Sequence, residues 1–382
     1  MGISTRAAAE SAARAGFAVT AIDAFGDLDQ HPSVRGLSLQ RDFGAPVSAD
    51  AMAHAAGSIE CDAVAYLSNF ENHPGAVSTL GAGRALWGNA PAVLQRVRDP
   101  FLLTRTLGRR GCAVPNVYEQ VVHDRQSDQR LVKPLASGGG NRVRPWRRGT
   151  RLPRGCYGQE LIDGTPGSVA FVAAGGQAVP LGVSRQLVGE PAFGATGYRY
   201  CGSILAAAGD SQFARDEALV EAARVLASTV AEEFGVVGVN GIDFVARDGV
   251  PYAIEVNPRW SASMELVERV HGFSVFGAHA AACVAGSLPE FDLVRVRRTA
   301  GAAGKAVVFA RRDVVVGETR AWLPGDDAGS AATLRDIPHP GERIPAGRPV
   351  CTVFAAGRDA AACHAALVQR AELVYADLAA WE

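Results

Sequence analysis

The pattern of apolar and polar positions predicts alternating helices and strands in the N-terminal part of the chain. The Ala-rich segment TRAAAESAARAG predicts a helix that ends at Gly16, and the apolar runs in FAVTAID and DAVAYLSNF predict two strands. Such alternation is typical of a parallel sheet with helices on its faces. Because the helix begins almost at Met1, we expect the strand before it to be missing or reduced to Gly2–Ser4, with the true start upstream.

The middle of the chain mixes strand and helix patterns, which predicts an α+β arrangement. A helix is predicted in Arg98–Pro115, ending at Gly111 and the final proline. Two strands around a glycine-rich loop follow in QRLVKPLASGGGNRVRPW, and two more, joined by a turn at Gly164–Gly167, in GCYGQELIDGTPGSVAFVAAGG. The segment DEALVEAARVLASTVAEEFG predicts an amphipathic helix that ends at Gly235. A β-hairpin turning at Asp248-Gly249 is predicted in VNGIDFVARDGVPYAIEVNPRW.

From about Arg295 the pattern changes to short strands separated by Gly and Pro turns, followed by a closing helix. We therefore predict an α/β protein with three parts. They are an N-terminal parallel α/β domain at residues 1–97, a central α+β domain at 98–294, and a small C-terminal β-rich module at 295–382.

Composition argues against several classes of protein. The 382 residues carry a formal charge of −1, which gives no reason to expect a nucleic acid or an acidic membrane surface as partner. No apolar run approaches the about 18 residues that a membrane span needs. The seven cysteines contain no C-x-x-C pair, which argues against a zinc site or a disulfide framework. We expect a cytoplasmic protein with reduced thiols.

Lysine is rare in this chain. Of 38 basic residues only Lys133 and Lys305 are lysines, and the rest are arginines. A lysine retained in so arginine-rich a sequence is expected to provide what arginine cannot, such as a compact point charge.

The predicted hairpin carries polar residues in an otherwise apolar context. Glu255 and Asn257 are two residues apart on one strand and therefore share a face, and pairing across the turn can bring Asp243 beside them. Two carboxylates and an amide oxygen suit Mg²⁺, but acids are also common on a solvated hairpin face, so both interpretations stay open. Arg259 is either a bidentate phosphate ligand or an ordinary surface arginine.

Two further segments carry candidate chemistry. In LVKPLASGGGNRV, Lys133 precedes a glycine-rich loop whose backbone N–H groups could approach phosphates, although the order of residues differs from a Walker loop. A plain hairpin turn is the alternative. In GQELIDG a strand end could offer hydrogen bonds to an adenine edge, and this pattern alone does not distinguish it from any other strand end.

Taken together and in this order, these motifs resemble the signature of the ATP-grasp superfamily, over about Gly16 to Gly286. The resemblance implies an ATP-grasp fold, made of an N-terminal parallel α/β domain, central and ATP-grasp α+β subdomains, and a small C-terminal β-rich module. It implies ATP and Mg²⁺, with Mn²⁺ as an alternative, and catalytic roles for Lys133 and Arg259. ATP-binding positions would be Lys133, the loop Ser137, Gly138, Gly139, Gly140 and Asn141, and the hinge Gln159, Glu160, Leu161 and Ile162. Metal ligands would be Asp243, Glu255 and Asn257.

The chain departs from the superfamily pattern at two places. Ser168 stands on the strand where many relatives have an acid that holds the ribose, so the ribose contact is in doubt. At Arg98–Pro100 the chain reads RDP where many relatives have Asp-Lys, which makes Arg98 a candidate for the first cation on the nucleotide side.

The resemblance implies a carboxylate–amine ligase that works through an acyl phosphate. Arg185 and Tyr198, with Arg199 and Tyr200, are candidates for the acceptor cleft, and an ordinary basic loop is the alternative. The segments TAIDAFGDLD and PGERIPAGRPVCTVFAAG are similar to ATP-grasp proteins linked to methanofuran and tetrahydromethanopterin biology, a group similar to tyramine–L-glutamate ligase. That similarity predicts a ligase joining glutamate to an amine in one-carbon cofactor biosynthesis.

Three other interpretations remain. The first is a general dipeptide or amino-acid ligase, and the second is a non-catalytic nucleotide-binding protein, against which the complete metal set argues. The third treats the GERIPAG tail as an accessory module for biotin or a lipoyl group, but Lys305, in AAGKAVV, is not in a suitable hairpin. The expected partners are small-molecule carboxylates and amines, with no nucleic acid and no membrane, and a homodimer is left open.

Overall fold

The computed structural model describes residues 1–120, 129–147, 150–323 and 333–381. The helices of this part are α1 (Arg6–Arg14), α2 (Leu39–Phe43), α3 (Ala49–Ala55), α4 (Pro74–Leu80), α5 (Pro91–Val97), α6 (Pro100–Arg109), α7 (Asp216–Phe234), α8 (Met264–His271), α9 (Val275–Ala285), α10 (Leu293–Arg297) and α11 (Ala360–Ala380). Its strands are β1 (Val19–Asp23), β2 (Val34–Ser38), β3 (Ala63–Ala65), β4 (Ala85–Trp87), β5 (Val117–Tyr118), β6 (Arg130–Pro134), β7 (Arg144–Pro145), β8 (Cys156–Glu160), β9 (Thr165–Ala174), β10 (Gln177–Val188), β11 (Tyr200–Leu205), β12 (Gly238–Arg247), β13 (Val250–Asn257), β14 (Ala302–Phe309), β15 (Val314–Val315), β16 (Leu334–Arg335), β17 (Arg343–Ile344) and β18 (Pro349–Gly357).

The N-terminal domain contains the predicted parallel pairings. β1 pairs in parallel with β2, and β3 pairs in parallel with β4. The reduced strand expected near the N-terminus joins the two pairs. The Gly2 N–H donates to Ile22 O at 3.2 Å, and Met1 O accepts from the Leu67 N–H at 2.7 Å. A side chain at residue 2 would meet Leu67 Cβ at 2.7 Å, so glycine permits this close approach.

An eight-stranded antiparallel sheet forms the centre of the molecule, in the order β13-β12-β9-β10-β11-β14-β18-β16. One face of β9 packs Val169 and Phe171 against α7, and the other packs Ala170 and Val172 against α8 and α9. The strands of the C-terminal module continue this sheet, because β14 pairs with β11 and β18 pairs with β14. The predicted α/β class is confirmed.

A second sheet has four strands in the order β5-β8-β6-β7. The sequence predicted β8 and β9 as neighbours joined by a turn, and this is wrong: β8 pairs with β5 and β6, whereas β9 pairs with β10 and β12. The chain crosses between the sheets at residues 161–164. Gly164 is tightly packed there, since a Cβ would lie 2.3 Å from Ala246 O.

The segment that was expected to line an acceptor cleft contains two strands of the central sheet, β10 and β11. β10 pairs with the preceding strand β9 and with β11, whereas β11 also pairs with β14, a strand far along the chain that the local pattern could not indicate. No helix in the described residues is long and apolar enough to cross a membrane.

Candidate active site

A cleft lies between the four-stranded sheet and the β12–β13 hairpin. Its walls come from α5, the start of α6, β6 with the loop behind it, β8 and β13. The lining residues are Val97, Arg98, Pro100, Leu103, Lys133, Pro134, Leu135, Ser137, Tyr157, Ile254, Glu255 and Val256.

The hairpin brings Asp243, Glu255 and Asn257 together, and the prediction that they share a face is confirmed. Asp243 and Glu255 are directly opposite in the β12–β13 register. The Asn257 side-chain amide donates to Asp243 Oδ2 at 2.9 Å. Asp248 and Gly249 have φ values of 54° and 80° at the turn, the left-handed geometry of a tight hairpin that fixes this register. We call Asp243, Glu255 and Asn257 the hairpin face.

The two carboxylates of the hairpin face do not ionise equally. Burial, followed by the charge of Glu255, raises the pKa of Asp243 to about 7. Burial would also raise the pKa of Glu255, but Arg98 and Lys133 outweigh it and leave that pKa below its usual value. Near pH 7 the pair therefore holds one full negative charge readily and the second only at a cost, which a bound cation would remove.

Two cations face Glu255 across the cleft. Arg98 lies 3.5 Å from Glu255 Oε2 and donates to Val256 O at 2.8 Å, to Asn72 Oδ1 at 2.9 Å and to Ser137 O at 2.9 Å. Lys133 is buried on β6, where its ammonium donates to Gln159 Oε1 at 3.1 Å. The cations predicted on the nucleotide side thus both reach this cleft.

The glycine-rich loop packs closely against the backbone of residues 198–200. Gly139 and Gly140 have φ values of 61° and 72°. Gly139 O accepts from the Tyr200 N–H at 3.0 Å, and a Cβ on Gly140 would lie 1.7 Å from Tyr198 O. Only glycine lets the loop approach the backbone of residues 198–200 this closely. Tyr198 therefore meets the loop through its backbone.

Arg259 lies at the inner edge of the hairpin face, held by an acid from the N-terminal domain. Its guanidinium donates to Glu71 Oε1 from Nε at 3.1 Å and from Nη2 at 2.7 Å. The same Nη2 donates to Asn257 Oδ1 at 3.1 Å. Sequence reasoning missed Glu71, which is 188 residues from Arg259 and stands in NFENH, a segment with no recognisable motif.

Comparison with known proteins agrees with this architecture. Residues 97–263 match the family model of the ATP-grasp domain. The chain has the ATP-grasp fold. The predicted fold class is confirmed, and with it the resemblance at the level of the ATP-grasp domain. A search of curated proteins found no match.

Several solved structures share this fold. The chain is similar to the biotin carboxylase domain of Hydrogenobacter thermophilus 2-oxoglutarate carboxylase, with a TM-score of 0.66 and 13% identity over 94% of this chain and 85% of that chain. It is similar to an L-amino acid ligase from Bacillus licheniformis, with a TM-score of 0.64 and 16% identity over 95% of this chain and 93% of that chain. It is also similar to biotin carboxylase from Campylobacter jejuni, with a TM-score of 0.64 and 13% identity over 92% of this chain and 85% of that chain. At these identities the likeness shows the fold alone.

The hinge that the ATP-grasp resemblance implies is partly occupied by protein contacts. The N–H groups of Glu160 and Leu161 donate to Asn116 O at 2.8 Å and to Gln129 O at 2.7 Å. The Glu160 carboxylate accepts from the Asn116 backbone and side chain at 3.0 and 2.9 Å. These two N–H groups are therefore not available to an adenine, whereas their carbonyl groups have further acceptor capacity. Ile162 is buried and Leu161 is exposed.

The structure does not bring Arg185 to the hairpin face. Ser184 lies in one cross-strand row with Ser168 and Asp243, so Arg185, the next residue on β10, points to the opposite face of the sheet. Gln186 reaches the site instead and donates to Asp243 Oδ1 at 2.9 Å. The register of β10 in the sheet determines whether Arg185 or Gln186 faces Asp243, and this register cannot be read from the sequence alone. Ser168, in place of the ribose acid, is buried beside Asp243.

The oxygen donors of the hairpin face fit Mg²⁺. Glu255 lines the cleft with its side chain 23% exposed, so its carboxylate is accessible to a cation, and the raised pKa of Asp243 shows a carboxylate pair whose charge is only partly neutralised. Within the described part of the chain no three His, Cys, Asp or Glu residues cluster as a metal site. The ligands for Mg²⁺ would therefore include the Asn257 side chain and phosphate oxygens in addition to the two carboxylates. Mn²⁺ suits the same oxygen ligands.

Proposed function

We propose that the protein is an ATP-dependent, ADP-forming carboxylate–amine ligase. The observation that carries this proposal is the placement of Lys133 and Arg98 opposite the hairpin face in one cleft of an ATP-grasp fold. Cations on one wall and an oxygen-rich cation site on the other are what a polyphosphate needs when its terminal phosphoryl group is transferred.

The charged and polar residues in and beside the cleft have distinct roles in this reaction. Lys133 and Arg98 bind the ATP phosphates, and the loop Ser137–Asn141 covers them and excludes water. Asp243, Glu255 and Asn257 would hold Mg²⁺, which would supply positive charge to neutralise the phosphates. A substrate carboxylate oxygen attacks the γ-phosphorus, giving an acyl phosphate and ADP, and Arg259 steadies the transferred group. The amine nitrogen then bonds to the acyl carbon, and phosphate leaves with the electrons of the broken C–O bond.

The finer proposal is that glutamate is joined to an amine in methanofuran-type one-carbon cofactor biosynthesis. It is supported by the sequence resemblance of TAIDAFGDLD and PGERIPAGRPVCTVFAAG to ATP-grasp proteins of that biology. The second candidate is a general amino-acid ligase, which the fold likeness to an L-amino acid ligase supports. A non-catalytic nucleotide-binding role does not account for two carboxylates, an amide and three cations around one cleft.

Phosphate release across a grid of carboxylates and amines tests the proposal. Glutamate paired with tyramine or furfurylamine should release phosphate and ADP in equal amounts if the finer version holds. Turnover only with pairs of amino acids would favour the general ligase. ATP hydrolysis that is unchanged by every carboxylate and amine would contradict both versions. Reactions that omit the amine serve as the background.

A further inference from the structure

The Glu71 side chain is buried at the junction of three parts of the site. Its side chain has no exposed surface, and its Oε1 accepts both N–H groups from Arg259. Oε1 also lies 4.0 Å from where a Cβ of Gly138 would stand, so the carboxylate adjoins the glycine-rich loop. Through Arg259 Nη2 it is linked to Asn257 of the hairpin face. An acid from the N-terminal domain therefore lies beside the predicted position of phosphoryl transfer.

The second oxygen of Glu71 has no hydrogen-bond partner among the described residues. Oε2 is buried together with Oε1, yet only Oε1 is paired. A buried, unpaired carboxylate oxygen costs roughly 1–3 kcal/mol or more, so such an atom is expected to have a partner during function. The positive charge of Arg259 compensates part of the carboxylate charge and leaves Oε2 as an acceptor.

Glu71 also lines a second cleft, next to the nucleotide cleft. Its walls include Leu94, Phe101 and Leu135, which are apolar, together with Asn72 and Arg98. Arg98, Pro100 and Leu135 line both clefts, so the two clefts share a wall. A molecule with a cationic or N–H-bearing end and an apolar body matches a cleft with apolar walls whose lining includes Glu71, the carboxylate of which is buried.

We propose that Glu71 Oε2 binds the amino group of the acceptor amine and that the second cleft holds its apolar body. This inference rests on the proposed function. The bound ammonium group first gives one proton to Oε2, which frees the lone pair of its nitrogen. The nitrogen then bonds to the acyl carbon, phosphate leaves with the C–O electron pair, and the second proton of the nitrogen goes to the leaving phosphate. Because the carboxylate lies beneath the loop, the amine reaches it when the loop releases its contacts with Arg98 and Tyr200.

The test compares two nucleophiles in the full-length enzyme with ATP, Mg²⁺ and glutamate. Hydroxylamine is neutral near pH 7. It can therefore trap the acyl phosphate as a hydroxamate without needing a carboxylate of the protein to bind it. Furfurylamine, which is cationic there, serves as the competing probe. In Glu71→Gln the amide oxygen can still accept from Arg259, but the negative charge is lost. Glu290→Gln, at an exposed position, is the matched control.

In the wild type and the Glu290→Gln variant, furfurylamine should suppress hydroxamate formation. In Glu71→Gln the concentration for half suppression should rise about 10- to 100-fold, the effect of losing a charge-assisted hydrogen bond, and this rise should exceed any fall in the hydroxamate rate without furfurylamine by about tenfold. The inference is overturned if furfurylamine does not compete in the wild type, if its competition is unchanged in Glu71→Gln, or if hydroxamate formation falls as much as competition does. The last result would restrict Glu71 to positioning Arg259. No hydroxamate with any carboxylate would instead refute the proposed function, and this inference with it.

Discussion

The two lysines of the chain lie in two clusters of buried charge that are built differently. Lys133 belongs to the nucleotide cleft, where Glu255 is 3.5 Å from Arg98, and Glu71 Oε2 and Gln159 Nε2 lack partners among the described residues. Lys305 belongs to an interdomain ion cluster, in which nearby acids and bases pair closely. The members of this cluster are Arg6, Glu10, Asp29, Glu265, Arg269, Lys305, Arg335 and Asp336.

Glu265 is the centre of the interdomain ion cluster. It accepts from Arg6 of α1 at 2.8 Å and from Lys305 of β14 at 2.5 Å. Burial alone would raise the pKa of Glu265, but Arg6 and Lys305 outweigh it and hold that pKa far below its usual range. The cluster thus ties the N-terminal domain, α8 and the C-terminal strands together. The two acids therefore differ: both oxygens of Glu265 are paired with cations, which stabilises the fold, whereas Glu71 Oε2 has no partner among the described residues, as expected where a ligand binds.

A glutamate-to-glutamine substitution in each cluster should separate catalytic from stabilising charge with the largest effects. Glu255→Gln should lower ATP turnover by at least about a hundredfold, because a charge that faces the transferred phosphoryl group is lost. The free energy of unfolding should stay within about 1 kcal/mol, because the amide keeps the size of the side chain. Steady-state ADP formation and urea unfolding check the two parts. Turnover near that of the wild type would remove Glu255 from the metal site.

Glu265→Gln should have the opposite effect. Breaking a buried ion network leaves Arg6 and Lys305 short of a counter-charge, which costs about 3–5 kcal/mol of unfolding free energy. Turnover per folded molecule should stay within about threefold of the wild type, since the described ion-pair partners of Glu265 do not line the cleft. Urea unfolding with ADP formation measured below the transition checks this. An inactive variant of normal stability would show that the cluster takes part in catalysis.

Replacing each lysine with arginine should affect nucleotide binding in one cluster and stability in the other, with smaller changes than the glutamate variants give. Lys133→Arg should raise the KM for ATP by about tenfold, because a guanidinium replaces a compact ammonium beside Gln159. Lys305→Arg should leave this KM unchanged but cost about 1–3 kcal/mol of stability, since the larger group enters a buried space. An unchanged KM in Lys133→Arg would make Lys133 a structural residue.

The smallest expected effect is a pH dependence of the ligand-free protein. The folded-state pKa of Asp243 is raised from 3.8 to about 7, so the folded protein holds a proton there that the unfolded chain has lost. Stability from this group is therefore present at low pH and decreases as pH rises through about 7, by about 1 kcal/mol between pH 6 and 8. Asp243→Asn should remove this part of the dependence in urea unfolding with a chelator present. Equal pH dependence in both proteins would contradict the pKa shift.

The sequence predicted features that depend on local pairing. The hairpin that joins Asp243 to Glu255 needs only a tight turn and period-two alternation, and both can be read from the chain. The choice of Gln186 over Arg185 needs the register of β10 against β9, which only the assembled sheet defines. Glu71 comes from another domain, so no local pattern could place it beside Arg259.

Transfer of ¹⁸O from substrate to phosphate tests directly whether an acyl phosphate forms. With glutamate labelled in its carboxylates, ATP, Mg²⁺ and an amine that supports turnover, we expect one labelled oxygen in each released phosphate. The reason is that a carboxylate oxygen attacks phosphorus and later leaves with it. Amine-dependent ADP formation with unlabelled phosphate would contradict the acyl phosphate, and ATP hydrolysis that ignores both substrates would contradict the ligase.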